Sequence, residues 1–85
     1  MNEATATLKI IKNMNKLINE MIYDGAEGVS GVEWDDRTIV IEESALGALY
    51  WDKPNLMHSI IEKSCEGTGY FVEFENSCIL HVCEL

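Results

Sequence analysis

Three residues near the C-terminus have types that bind metals or attack carbonyls: Cys78, His81 and Cys83, spaced C-x-x-H-x-C. Thiolate and imidazole are zinc ligands, and a thiol beside an imidazole is a nucleophile with its base. The residues around them are β-branched and aromatic, so the run reads as a strand. Alternation along a strand sends His81 and Cys83 to one face and Cys78 to the other, so the three cannot converge on one ion. His58 and Cys65 would have to complete the set from a helix, and the cysteines read instead as small apolar residues, with no metal expected. A Cys/His nucleophile has no second signal, such as a nucleophile elbow. Glycines at Gly25-x-x-Gly28-x-x-Gly31 and Gly67-x-Gly69 lie at no strand-to-helix turn with a basic residue beside it, so they form no phosphate loop. Carboxylates are plentiful, yet an 85-residue chain has little room for a deep pocket beside its core. A non-catalytic protein without a cofactor is the expectation.

What these residues do supply is charge. The net charge is −9, and it is uneven: residues 1–16 hold Lys9, Lys12 and Lys16 against Glu3, whereas residues 17–85 hold 14 acids against Arg37, Lys53 and Lys63. The domain is an anion with a short basic patch at one end. Such a field repels nucleic acid and anionic lipid and favours basic partners. Three cysteines cannot form a complete set of intramolecular disulfides, no run of about 18 apolar residues is present, and the N-terminal apolar residues are interrupted by lysines as in a helix rather than a signal peptide. A cytoplasmic location is the corresponding expectation. At 47% apolar residues, the chain should fold as one domain over residues 1–85, burying about 63% of the surface its unfolded form exposes.

The elements that must position these side chains begin with the last hairpin. Residues 69–84 read as two strands, and the loop length decides which side chains share a face. A three-residue loop, Glu75-Asn76-Ser77, gathers Tyr70, Val72, Phe74, Cys78, Leu80 and Val82 on the core face and sends Phe71, Glu73, Ile79, His81 and Cys83 outward. Upstream, residues 2–24 form a helix with an apolar stripe including Leu8, Ile11, Ile18 and Ile22, capped by Asn2 or Thr5 and closed near Gly25. Residues 29–43 read as a first hairpin. An even loop around Asp35-Asp36 sets Val32 and Trp34 with Ile39 and Ile41, and Glu33, Thr38, Val40 and Glu42 away from them. Residues 44–51 fit either a short helix capped by Ser44 and weakened by Gly47 or a buried strand. Pro54 opens a clearer helix that ends at Gly67. The order α-β-β-α(α)-β-β implies a two-layer α+β domain, an antiparallel sheet of two hairpins with the helices on one face.

Function then rests on the outer face of that sheet. It collects Glu33, Asp35, Glu42, Glu73 and Glu75 around Phe71, Ile79, Val40 and His81, an apolar centre with a charged rim. Unless helix 1 or residues 44–51 cover it, this face suits a basic protein partner, and His81 beside Glu73 would make association sensitive to pH near neutrality. In its most specific form the face is a nucleic-acid mimic. Alternate residues of a strand lie about 6.7 Å apart on one side, so Glu73 and Glu75, or Glu33 and Asp35, could imitate successive phosphates, as could Glu62 and Glu66 one helical turn apart. The partner would be a nuclease or DNA-binding protein whose basic channel normally holds phosphates. In size and charge alone, with no shared motif, the chain resembles the small acidic anti-defence inhibitors that phages make against restriction and CRISPR nucleases. The second class is a structural homodimer burying the same face, with like charges opposing each other across its two-fold axis.

Overall fold

Asn2 starts the first helix, its side chain accepting a hydrogen bond from the Thr5 amide at 2.8 Å. In the computed structural model, which describes residues 1–85, that helix is α1 (Glu3–Met21). It is followed by β1 (Ser30–Gly31), β2 (Thr38–Val40), α2 (Ala45–Asp52), α3 (Pro54–Cys65), β3 (Tyr70–Asn76) and β4 (Ile79–Glu84). The strands form one antiparallel sheet in the order β1-β2-β4-β3. α1 packs on β1, β2 and β4, α3 packs on β3 and α1, and α2 packs on α3, so the molecule is the two-layer α+β domain expected.

The buried stripe of α1 is the row Ala6, Ile10, Met14 and Ile18, one residue per turn, while Leu8 is exposed. It meets Ile39, Ile41, Leu80 and Val82 from the sheet and Met57 and Ile60 from α3, all sealed from solvent. Residues 44–51 resolve to helix. Ser44 caps α2 by accepting from the Gly47 amide at 3.0 Å while its hydroxyl donates to the Ile41 carbonyl at 2.6 Å. Gly47 is needed for proximity rather than for an unusual backbone angle: a Cβ there would run into the Ile41 carbonyl oxygen, so the first turn of α2 lies directly on the end of β2.

Both hairpins depart from the loops that alternation alone suggests, and in both a short polar side chain is responsible. In the first, Asp35 folds an Asx turn, its Oδ1 accepting from the Arg37 amide at 2.8 Å and its Oδ2 from the Thr38 hydroxyl at 2.9 Å. The pairing becomes Ser30 opposite Val40 and Gly31 opposite Ile39, one residue away from the even-loop register. Val29, not Val32 or Trp34, therefore fills the core place and Trp34 is 85% exposed in the connection, while Thr38 faces away from Ile39 as expected, opposite His81, but is buried there. In the second, Asn76 Oδ1 accepts from the Cys78 amide at 2.8 Å, which makes Ser77-Cys78 a two-residue turn instead of a three-residue loop. A two-residue turn by itself would exchange the faces. An irregularity between Phe74 and Asn76, leaving Glu75 unpaired, absorbs the extra residue and restores the expected partition. Val72 then faces Val82, Glu73 faces His81 and Phe74 faces Leu80.

One further clamp ties the loop between α1 and β1 to the helix. Asn15 mimics a strand, donating from Nδ2 to the Val29 carbonyl at 3.1 Å and accepting on Oδ1 from the Val29 amide at 2.7 Å.

Candidate protein-binding surface

The sheet pairings lay the outer face out in rows. Glu73, His81 and Thr38 stand side by side on β3, β4 and β2. Asn76, Ile79, Val40 and Ser30 form the next row, and Phe71 pairs with Cys83 at the other end. The helices all pack on the opposite side, so neither α1 nor residues 44–51 roof this face. Glu73 is exposed, and Phe71, Ile79, Val40, His81 and Cys83 are half-buried, whereas Ile39, Leu80 and Val82 on the other side are sealed.

Not every residue expected on this surface serves it in the same way. Phe71, Glu73, Ile79 and His81 share the face. Glu75, the residue freed by the irregular pairing, reaches Nε2 of His81 at 3.0 Å, so the carboxylate in contact with the imidazole is Glu75 and not the directly opposed Glu73. That contact also removes the regular two-residue spacing from Glu73 to Glu75. Asp35 is spent on its turn. The Arg37 amide, and then the Thr38 hydroxyl, hold its carboxyl below the usual carboxylate range. Glu33 lies exposed in the β1–β2 connection, and Glu42 lies past the end of β2, where its amide and that of Ile41 donate to the Cys78 carbonyl. They mark opposite ends of the sheet. Glu62 and Glu66 sit on and just after α3, in the helical layer away from the face.

The charge separates with the layers. The helical segments, residues 1–22 and 44–66 with their caps, hold five acids (Glu3, Glu20, Asp52, Glu62 and Glu66) and five lysines (Lys9, Lys12, Lys16, Lys53 and Lys63), and are neutral as a set. The strands and their loops hold the other ten acids and one cation, Arg37, so the whole net charge of −9 lies in the sheet layer and its connections. Arg37 itself is drawn toward Glu3, Nε to Oε2 3.7 Å. Lys9, Lys12 and Lys16 run along the exposed side of α1 instead of forming a patch at one end.

A second surface was not legible as a unit. Tyr50 meets Trp51 edge-on with centroids 4.9 Å apart, Phe74 packs edge-on against Tyr50 at 5.8 Å, and His58 against Phe74 at 6.0 Å. Trp51 is 81% exposed, and Phe74, assigned to the core by alternation, stands partly in solvent at 37% exposure. Beside this shelf an open groove of about 410 Å³ is lined by Glu42, Glu43, Ser44, Ala48, Tyr50, Trp51 and the Ser77-Cys78 turn. The only sequence signal was two adjacent aromatics in a segment too short to show which face it buries.

The three thiols are unpaired. Burial raises Cys65 above the ordinary thiol value, with the Val72 amide pulling the other way. His81 and Cys83 point outward from β4 and Cys78 lies in the turn, and no three His, Cys, Asp or Glu side chains stand close enough to hold a metal ion. No helix is long and apolar enough to cross a membrane. No protein-family model, curated protein or solved structure matches the chain.

Proposed function

We propose that the chain is a non-catalytic binding module that docks the outer face of its sheet on a basic protein, and that this partner is a nuclease or DNA-binding protein which it inhibits. The segregation of charge carries this reading: ten acids against one arginine in the layer whose face is uncovered, with Phe71, Ile79 and Val40 at its centre. A concentrated anionic field steers a basic partner, the apolar centre supplies contacts that exclude water, and lysines or arginines that otherwise hold phosphates would meet Glu73, Glu33 and Glu42. The mimicry lies in the field of the layer rather than in a ladder at phosphate spacing, since Glu75 turns to His81. Pairing two copies through this face would bring like-charged layers together across the two-fold axis, which works against the homodimer. Three free thiols suit a reducing, cytoplasmic setting.

The test is capture of purified basic nucleases and DNA-binding proteins on immobilised protein, with Phe71→Asp and Glu73→Lys, the latter at an exposed position, compared by circular dichroism to establish that both remain folded. Capture that duplex DNA displaces, that weakens with rising salt and that both variants reduce supports the proposal. Capture indifferent to DNA and to both substitutions, or a salt-strengthened dimer of the free protein in light scattering, overturns it.

A further inference from the structure

We infer that the groove between α2 and the β3–β4 turn receives an arginine side chain of the partner. The inference rests on the reading of this protein as a module for basic partners, but apart from Glu42 it concerns residues outside the sheet face. The groove is lined by the indole of Trp51, which the fold leaves 81% exposed, an unusual placement for so large an apolar ring. Its position is buttressed, since Tyr50 stands edge-on against it and Phe74 edge-on against Tyr50. Glu42 and Glu43 line the same groove, and neither meets a basic side chain, Arg37 being drawn to Glu3 and His81 to Glu75.

An exposed indole and unpaired carboxylates lining one groove are complementary to a flat cation that can stack and donate hydrogen bonds at once. Guanidinium has that shape: it is planar, always charged, weakly hydrated and forked to match a carboxylate. A neutral side chain would leave Glu42 and Glu43 without partners, and an anion would be repelled by them. The second tryptophan provides an internal comparison. Trp34 is equally exposed and also flanked by acids, but it lies outside this groove, and Asp35 beside it is committed to its turn.

The experiment is a titration of the full-length ¹⁵N-labelled protein with the blocked tripeptide acetyl-Gly-Arg-Gly-amide, followed by NMR, the two indole signals being assigned with Trp34→Phe. Saturable shifts of the Trp51 indole and of the amides from Glu42 to Ala48 are expected. The citrulline analogue, the same shape without charge, should leave them in place, and Trp51→Ala should weaken binding by about 3- to 30-fold, as loss of a cation–π contact implies. The inference is overturned if the Trp34 indole moves as far as that of Trp51, if citrulline binds equally well, or if Trp51→Ala binds like the native protein. Because partner capture is read through Phe71 and Glu73, the groove can fail while the sheet-face proposal holds, and the reverse.

Discussion

Replacing Gly47 with alanine sets two physical effects against each other at the position that seats α2. Intrinsic helix propensity favours alanine over glycine by about 1 kcal/mol in a helix interior. Against it stands the packing. The new methyl would collide with the Ile41 carbonyl oxygen, with the carbonyl carbon only 3.2 Å away, and both atoms are backbone that cannot rotate aside. Overpacking of this kind costs about 1–3 kcal/mol. The same oxygen accepts from the Ser44 amide at 3.1 Å and its hydroxyl at 2.6 Å, so shifting it also loosens the cap of α2, worth about 1 kcal/mol. The collision and the cap together exceed the propensity gain, and a net destabilisation of about 2 kcal/mol is expected. For a domain of this size that lowers the melting temperature by roughly 8–16 °C. Urea unfolding followed by tryptophan fluorescence measures it, with Gly31→Ala as the control, since the nearest atom to a Cβ there is the flexible Ile11 Cδ1 at 3.4 Å. A midpoint for Gly47→Ala equal to or above that of the native protein would refute the close seating of α2 on β2, and with it the geometry of the Trp51 groove.

Two further outcomes follow from the polar side chains that set the loops. Asn15→Ala removes both hydrogen bonds to Val29 and should cost about 2 kcal/mol at about 1 kcal/mol each, read as a lower urea midpoint with an unchanged slope; an unaltered midpoint would mean that the loop holds itself. Asp35 has a folded-state pKa below its unfolded one, so its contribution is present above about pH 4 and lost as the pH falls through the folded value. The stability gap between the native protein and Asp35→Asn should therefore be widest near neutrality and close in acid, and a gap independent of pH would show that the carboxylate is not what holds the turn.

Much of the architecture was open to reading because it depends on local periodicity. The turn-by-turn row Ala6, Ile10, Met14, Ile18 makes one helix, Pro54 and Gly67 bracket another, and the alternating residues of β3 and β4 divide into core and outer sets as observed, except that Phe74 stands partly in solvent and Cys78 falls in the turn. The acidity of the sheet layer is a property of composition by segment, so it too is present in the chain before folding. Register was not, because it follows from single hydrogen bonds that hydrophobic pattern does not encode. Asp35 and Asn76 each accept an amide two residues ahead, and these two bonds move Trp34 into solvent, bring Thr38 under cover and free Glu75 to reach His81. Tertiary packing alone decided the rest: α2 lies on the end of β2 because Gly47 permits it, and the adjacent Tyr50 and Trp51 join Phe74, distant in the chain, in one shelf because α2 and β3 are both anchored to α3 and the shared core. A side chain's neighbours along the chain set the element it joins, but long-range contacts, which form only when the whole core closes, choose the surface it shares.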